Sequence, residues 1–361
     1  MVSKRTGAFC FLKPCALTLV RKGLDEVSLL TELQSALEKL RAQHTDLTPE
    51  APVLIGVSGG RDSVVLLCAM VSLGWKGLVV GHLNHALRGR ESGQDAAFVK
   101  RLTTRLGMRC ETRKVEVQRV AAQRKISLEL AAREVREKFF ESLASMVETR
   151  FLFLAHHADD QAETILGNLC RGTALRGMRG INLSAETGRG LVKLRPLLNV
   201  TRVEIDAYVE ENKLIYREDG SNALGSFRRN RLRNEVLPLL NEVLDRDVST
   251  MLVRAGAAAS RDDEFLHGQA MEFAEEEGLL LADGGLKITT RLQKLHGALL
   301  SRVIDIWLRH IDQARGIGNH ELESAMSMIK PDGPAKINLP GDRWLRRKAK
   351  RLFVEHLIDQ P

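Results

Sequence analysis

The amino-acid sequence predicts an α/β fold: a parallel, doubly wound sheet followed by a helical linker and a small α+β C-terminal module. Two observations support this prediction. Between residues 51 and 245, short apolar runs alternate with stretches of helical periodicity, as expected for parallel strands joined by crossover helices. From residue 278 onward, shorter strand and helix patterns lead to a basic C-terminal edge. We therefore expect two folded units joined by a long helix.

Four regions are expected in the 361 residues: an N-terminal extension with one helix (1–50), the sheet domain (51–245), a helical linker (246–277) and the basic module (278–361). Leucines at helical spacing predict a helix over 27–42, and a longer pattern predicts the linker helix over 248–277. The first 23 residues are basic and contain no acid, and we assign them no role.

The first strand of the sheet domain leads into a glycine-rich turn. The apolar run 53–57 predicts a buried strand, and a helix begins near Val64. The turn between them consists of Ser58, Gly59, Gly60, Arg61, Asp62 and Ser63. Glycine N–H groups and a helix N-terminus attract phosphate, and the two serine hydroxyls can donate to it. Asp62 repels phosphate, so a carboxylate here makes sense if it holds Mg²⁺ against the phosphates.

Two further strands end in polar residues. The runs 77–82 and 151–155 predict strands that end at His82 and at His156. Ligands of open parallel sheets bind beyond the carboxyl ends of the strands. The three polar clusters, at Ser58, His82 and His156, are therefore expected to converge on one crevice.

The segment after His156 contains two carboxylates at helical spacing. On a helix starting near Asp159, Asp160 and Glu163 are three residues apart and share one face. Acids in a first helical turn are favoured by the helix dipole alone, which is the simpler interpretation. Opposite a phosphate loop, we favour a role in binding Mg²⁺ or accepting a proton. For the His156-His157 pair, hydrogen bonding is favoured over zinc, because no third ligand stands at suitable spacing.

Three arginines are candidates for stabilising phosphate charge. Arg133 and Arg136 are three apart on a long predicted helix, and Arg233 lies in an arginine-rich segment with Arg229 and Arg231. The rigid fork of arginine suits the charged oxygens of phosphate groups. Taken singly, each is better explained as a surface or ion-pair residue.

Composition restricts the partners and the compartment. The formal net charge of +8 suits a phosphate-rich partner, which Arg229, Arg231 and the C-terminal residues Arg346, Arg347 and Lys348 could contact. The five cysteines are scattered without a C-x-x-C pair, so we expect a reducing compartment and no thiolate metal site. No apolar stretch is long enough to span a bilayer, so a membrane partner is not expected.

Several motifs together resemble one family. In chain order they are S-G-G-R-D-S, H-L-N-H-A-L-R, L-E-L-A-A-R-E-V-R, A-H-H-A-D-D-Q-A-E-T, C-R-G-T-A-L-R-G-M, R-P-L-L and F-R-R-N-R-L-R-N-E-V-L-P-L-L. The first is similar to the pyrophosphate loop of the ATP-pyrophosphatase (PP-loop) enzymes, which have an adenine nucleotide alpha hydrolase-like fold. The whole set resembles the tRNA(Ile)-lysidine synthetase family from about residue 52 to 244, and more weakly at 336–340.

This resemblance implies an activity and a set of site residues. The family uses ATP to adenylate C2 of the wobble cytidine of a CAU-anticodon isoleucine tRNA, and free L-lysine then displaces AMP to give lysidine. By motif, residues 58–63, His156 and Arg133 would bind ATP, with Asp62 near Mg²⁺. The essential polar residues would be Asp62, Arg136, Asp160, Glu163 and Arg233. A bacterial cytoplasmic location and a possible homodimer are also expected.

Departures from the family pattern are few. Ala86 stands where glycine is usual, Cys170 where an aliphatic residue is usual, and Gly220 where proline is frequent. Other PP-loop enzymes are rivals, but the thiolases carry C-x-x-C pairs and the amidotransferases need a glutaminase domain. A tRNA-binding protein on a decayed scaffold is a rival of another class. Three retained carboxylates argue against it, because binding a polyanion does not need them.

Overall fold

The computed structural model describes residues 28–87, 90–173, 175–217, 230–311 and 317–356. Of the predicted site residues, Arg229 lies outside these ranges, as does Gly220. Two sheets organise the described residues, one of six strands and one of four. Within the described ranges, no helix is long and apolar enough to cross a membrane.

The six-stranded sheet forms the first unit. Its strands are β1 (Val53–Gly56), β2 (Leu78–Asn84), β3 (Arg109–Lys114), β4 (Phe151–Phe153), β5 (Ser184–Glu186) and β6 (Val192–Leu194). Their order is β3-β2-β1-β4-β6-β5, and all neighbours are parallel except the β5–β6 pair. The predicted parallel sheet is confirmed, with one antiparallel edge strand, β5, that the sequence analysis did not predict.

Helices cover both faces of this sheet. They are α1 (Leu29–Gln43), α2 (Arg61–Ser72), α3 (Arg90–Arg105), α4 (Val117–Arg124), α5 (Leu128–Val147), α6 (Ala158–Leu169), α7 (Leu175–Met178) and α8 (Arg202–Glu211). Successive residues of a strand point to opposite faces. Ile55 therefore packs with Leu33 of α1 and Leu66 of α2, whereas Leu54 packs with Phe140 of α5. Because α1 contributes to this core, its packing supports including it in the sheet domain.

The order of strands places a crevice at the centre of the sheet. β2 lies on one side of β1 and β4 lies on the other, so the crossover connections leave β1 in opposite directions. At such a switch point the loops beyond the carboxyl ends separate and leave room for a ligand. The turn 58–63 follows β1, and the segment 154–157 follows β4, so both face this opening.

A helical region connects the two units. It contains a π-helix (Leu232–Val236), α9 (Leu237–Leu244) and the 29-residue helix α10 (Val248–Glu276). α10 packs closely on the sheet domain. A Cβ built on its Gly256 would lie 2.5 Å from Ile165 of α6 and 3.1 Å from the carbonyl of Met178, so only glycine allows this approach. The predicted linker helix therefore contacts the sheet domain through α6 and α7, whereas Ala270 and Ala274 near its end belong to the C-terminal core.

The C-terminal unit is a small α+β module, as predicted. Its helices are α11 (Thr290–Gln293), α12 (Gly297–His310) and α13 (Asn319–Ile329), and its strands are β7 (Leu286–Lys287), β8 (Lys336–Leu339), β9 (Arg343–Lys348) and β10 (Arg351–His356). The strands are antiparallel in the order β7-β10-β9-β8. The core surrounds Trp307, whose indole N–H donates to the Gly284 carbonyl at 2.9 Å. The predicted basic edge at 343–351 contains β9 and the turn after it.

Candidate active site

The turn after β1 has the geometry of a phosphate cradle. Ser63 Oγ accepts the N–H groups of Ser58 (3.2 Å) and Gly59 (3.3 Å) and donates to the Gly60 carbonyl (2.9 Å). Gly59 has φ +97°, and a Cβ there would lie 3.3 Å from Val99, so the turn needs glycine at this point. Gly60 is the N-cap of α2 and has no side chain to cap the helix. The first N–H groups of α2 are therefore available to an anion.

Asp62 connects this cradle to the helix that follows β4. It lies in the first turn of α2, and its Oδ1 accepts a charge-assisted hydrogen bond from Arg202 Nη1 at 2.5 Å. Its Oδ2 lies 3.6 Å from Nε2 of His157, which is completely buried. The carboxylate predicted to hold Mg²⁺ is thus held between an arginine of α8 and a histidine at the start of α6.

His157 is the N-cap of α6 and links three acidic residues. Its Nδ1 accepts the Asp159 N–H at 3.3 Å, and its own backbone N–H donates to Asp160 Oδ2 at 3.0 Å. The other ring nitrogen, Nε2, lies 3.2 Å from Arg202 Nη2 and also faces two carboxylates. That atom lies 3.6 Å from Asp62 Oδ2 and 3.7 Å from Asp160 Oδ2. One buried imidazole therefore spans the phosphate loop and the acidic helix.

Arg233 joins the two predicted carboxylates of α6. Its Nη2 donates to Asp160 Oδ1 at 2.9 Å and its Nε donates to Glu163 Oε1 at 2.5 Å. The Glu163 side chain is only 3% exposed, so this ion pair is largely shielded from water. The fork of one guanidinium thus fixes the spacing of both acids. The structure brings Asp62, Asp160, Glu163 and Arg233 together, as the sequence predicted.

The charges of these groups support one another. Burial disfavours ionisation of Asp160, but His157, His156, the His157 N–H and Arg233 together hold the pKa of that carboxyl below its ordinary value. Burial likewise disfavours the charge on Arg233, yet Glu163 and Asp160 raise the pKa of the guanidinium. Asp160 is therefore held as an anion beside a permanent cation at neutral pH.

The local backbone places Arg233 in an unusual element. Residues 232–236 form one turn of π-helix immediately before α9, whose second residue is Pro238. A proline lacks the N–H that an α-helix would need there, and short π-helical turns are frequent at functional sites. Leu232 packs near Gly167 of α6, which directs the neighbouring Arg233 towards the acids. The arginine-rich sequence predicted a charged segment, but it contained no signal for this turn.

Arg133 and Arg136, the two arginines predicted on α5, lie toward the carboxyl ends of the strands, as the phosphate loop does. Ser145 and Glu148, at the end of α5, line a depression with Pro52 and Phe151 at the amino ends of β1 and β4. α5 therefore runs opposite to these strands, and its first turns lie near their carboxyl ends.

The side chains of these two arginines are on the outer part of that edge. Arg136 is exposed and lies one turn before Phe140, which packs on Gly56 at the end of β1. Arg133 is 69% exposed and its Nε lies 3.5 Å from Glu137. No contact joins Arg133 to Asp62 or to the acids of α6 among the interactions of the described residues, so its role in binding ATP stays a prediction.

The residues predicted to hold RNA lie elsewhere. Arg231 pairs with Glu235 on the π-helical turn at 2.8 Å, and Arg346 of β9 pairs with Glu355 at 3.0 Å. Arg347 donates to the carbonyls of the loop after α13, including that of Gly333 at 2.6 Å, so its guanidinium supports that loop. Lys348 is exposed at the end of β9.

Two site residues were missed by the sequence analysis. Arg202 was not among the predicted residues, and His157 appeared only as one of two adjacent histidines. Adjacent residues of an extended segment point apart, but the sequence does not indicate which histidine turns inward. The capping box that begins α8, with Glu204 accepting the Thr201 N–H at 2.7 Å, was the available signal for a precisely placed Arg202.

Comparisons with known proteins agree with this geometry. The sequence matches the PP-loop domain family over residues 29–240. The chain is 44% identical to a tRNA(Ile)-lysidine synthase of Porphyromonas gingivalis over 191 residues, which are 53% of this chain and 41% of that protein. It is 31% identical to a tRNA(Ile)-lysidine synthase of Bacillus subtilis over 294 residues, 80% of this chain and 61% of that protein.

A solved structure is also similar, the U34-tRNA thiolase NcsA of Methanococcus maripaludis with its 4Fe-4S cluster. The TM-score is 0.49 at 17% identity, covering 64% of this chain and 79% of that chain. In the two curated relatives, this chain spans 41% and 61% of the length.

Proposed function

Because the chain belongs to the PP-loop family, we propose that it is an ATP-dependent ligase that joins free L-lysine to C2 of the wobble cytidine of the CAU-anticodon isoleucine tRNA. The products are lysidine, AMP and pyrophosphate. The observation that supports this proposal most strongly is the continuous set of contacts from the phosphate loop through Asp62 and His157 to Asp160, Glu163 and Arg233. The names of the curated relatives point to the same reaction.

The first step requires charge stabilisation at phosphate. The C2 oxygen of the cytidine attacks the α-phosphorus of ATP, an O–P bond forms, and pyrophosphate leaves. The N–H groups at the N-terminus of α2, which have no intrahelical partner, would hold the pyrophosphate oxygens. Arg202, close beside Asp62, and Arg136, at the same edge of the sheet, would offset the developing negative charge.

A divalent cation fits this site. One carboxylate combined with nucleotide phosphates is a common donor set for Mg²⁺, and Asp62 supplies such a carboxylate in the first turn of α2. When bound, Mg²⁺ would neutralise phosphate charge and favour departure of the pyrophosphate. Asp62 would hold the ion, and His157 and Arg202 would orient the carboxylate.

The second step requires a cation site and a base. The ε-ammonium of lysine must lose a proton before its nitrogen bonds to C2, and AMP then leaves with the former C2 oxygen. Arg233 donates to one oxygen of each carboxylate of α6. Asp160 Oδ2 already accepts the His157 N–H, and the pKa of Asp160 is held low, which makes it the poorer base. We assign proton acceptance to Glu163 and attraction of the ammonium to Asp160.

A labelling experiment tests the proposal. Radiolabelled lysine is incubated with ATP, Mg²⁺, the protein and an unmodified isoleucine tRNA transcript with the CAU anticodon, and the elongator methionine tRNA is the control. We expect lysine incorporation into the isoleucine transcript alone. Release of AMP without incorporation would retain the ATP chemistry and reject lysine as the nucleophile. Binding of tRNA with neither signal would support the decayed-scaffold alternative instead.

A further inference from the structure

Outside the active site, two helices bring four arginines to one place. α7 and the residue after it contribute Arg176 and Arg179, and α12 contributes Arg302 and Arg309. Between them lie one aspartate of α10, Asp263, and one of α12, Asp305. We call these six residues the junction cluster. It lies where the sheet domain, the long helix and the C-terminal module meet.

The carboxylates of the junction cluster are shared. Asp263 is 5% exposed and accepts from Arg179 Nη1 at 3.1 Å and from Arg302 Nη2 at 2.9 Å. Asp305 accepts from Arg309 Nε at 2.9 Å and from Arg176 Nη1. Each aspartate thus serves two guanidinium groups, one from the sheet domain and one from the module. Four positive charges meet two negative charges.

This surplus of positive charge lowers the pKa of nearby basic groups. Burial, together with the charges of Arg309 and Arg179, lowers the pKa of Arg176 to about 10. Burial and the charge of Arg176 also lower the pKa of His267, which lies one turn beyond Asp263 on α10. Buried Nε of Arg302 has no hydrogen-bond partner among the described residues. A site with more cations than anions, and with a hydrogen-bond donor that has no partner, favours the binding of an additional anion.

The cluster is open on one side. The side chains of Arg176 and Arg309 are 41% and 51% exposed, whereas those of Arg179 and Arg302 are 22% and 16% exposed. The two outer arginines can therefore reach a group in solution, while the two inner ones fix Asp263. Guanidinium forks match the oxygens of a phosphate group, which makes phosphate the best suited anion.

We propose that the junction cluster binds a backbone phosphate of the tRNA substrate through Arg176 and Arg309, and so couples RNA binding to the orientation of the C-terminal module. The inference rests on the proposed function for the identity of the RNA. The chain's net charge of +8 favours a polyanion over a small anion. Arg176 also lies in the C-R-G-T-A-L-R-G-M segment, to which the proposed chemistry gave no role.

Binding of the isoleucine tRNA transcript, measured by fluorescence anisotropy over a series of KCl concentrations without ATP or lysine, tests this site. Each phosphate contact contributes roughly 0.7–0.9 to the slope of log K against log salt. Arg309→Ala and Arg176→Ala should each weaken binding about fivefold and lower that slope by about one contact. The matched control is Arg109→Ala, which removes an equally exposed arginine, paired with Glu111 at 3.0 Å, at the amino end of β3.

A substitution of Asp305 should change the affinity for tRNA in the opposite direction. Asp305→Asn removes a carboxylate that competes with phosphate for both outer arginines. If the site binds RNA, this variant should bind the transcript more tightly, by about threefold, although its melting temperature falls. If the cluster only joins the domains, Asp305→Asn and the arginine variants will lower the melting temperature and leave the salt slope at the wild-type value. That result would overturn the proposal.

A third arm separates RNA from free phosphate. Inorganic phosphate at constant ionic strength is added during thermal unfolding of the wild type and of the doubly substituted Arg176→Ala, Arg309→Ala protein. Stabilisation of the wild type alone, with an unchanged tRNA salt slope, would assign the site to a small anion and refute its role in RNA binding. Lysine incorporation by the wild type is measured separately, so failure of the proposed chemistry is distinguishable from failure of this site.

Discussion

Arg202 Nη1 lies 2.5 Å from Asp62 Oδ1, so an ion pair joins the first turn of α8 to the first turn of α2. The same arginine approaches His157 Nε2 to 3.2 Å. It is therefore the cation nearest to the carboxylate that would hold Mg²⁺. If Asp62 turns to the ion when ATP is bound, Arg202 remains beside the phosphates.

Replacing Arg202 by alanine should weaken ATP binding. Loss of one charge-assisted hydrogen bond in a partly buried site costs about 1.5 kcal/mol, or roughly tenfold in the KM for ATP. The control is Arg150→Ala, which breaks an exposed pair with Asp46 (2.7 Å) at the opposite edge of the sheet. Equal KM values for the two variants would show that Arg202 only supports the turn.

Replacing Arg233 by methionine should destabilise the fold as well as abolish activity. The Glu163 carboxylate, 3% exposed, would lose the guanidinium that offsets its burial, at a cost of about 3 kcal/mol. The double variant Arg233→Met, Glu163→Gln should regain more than half of that loss in urea unfolding, because the Glu163 charge is removed together with its partner and Asp160 still accepts the His157 N–H. If the destabilisation of the double variant equals the sum of the two single variants, the ion pair between Arg233 and Glu163 does not contribute to stability.

The free energy of unfolding at acidic pH should depend on the ionisation of Asp160. Its pKa is lowered in the folded protein, so its contribution to stability is complete above the unfolded value of 3.8 and is lost as the pH falls through the lower folded pKa. The stability difference between wild type and Asp160→Asn should therefore be largest near neutral pH and should shrink below about pH 4. If the stability difference between the two proteins grows as the pH falls, the pKa of Asp160 is raised in the folded protein and not lowered.

Much of the site could be predicted because its signals are local. The glycine-rich turn and the acids of α6 are contiguous in sequence, and the alternation of strands and helices places both at the carboxyl edge of the sheet. Arg202 could not be predicted, because its role depends on how α8 packs beside α2. The three-residue strands β5 and β6 were missed for a similar reason: so few residues show no periodicity.

One departure from the family pattern has a structural counterpart. Ala86, where glycine is usual, has φ +55°, and its N–H donates to Asn84 Oδ1 at 2.8 Å. A left-handed conformation costs an alanine roughly 1–2 kcal/mol, which exceeds the entropy cost of introducing glycine.

We therefore expect Ala86→Gly to raise the free energy of unfolding by up to about 1 kcal/mol. The matched control is Ala122→Gly on the exposed face of α4, where helix propensity predicts a loss of about 1 kcal/mol. Denaturant titration of both variants measures the two effects. Destabilisation of equal size at both positions would mean that the turn at Ala86 is not strained.

In the proposed mechanism, the phosphate loop performs the adenylation, and Glu163 takes the proton from lysine in the following step. Single-turnover reactions of Glu163→Gln with ATP and the isoleucine transcript test this division most directly, with Asp159→Asn, an acid one turn earlier on α6, as the control. We predict that tRNA-dependent pyrophosphate release by Glu163→Gln stays within about threefold of the wild type, while lysidine formation falls by at least about 100-fold. If Glu163→Gln forms lysidine at the wild-type rate, or loses both steps equally, Glu163 is not the proton acceptor of the second step.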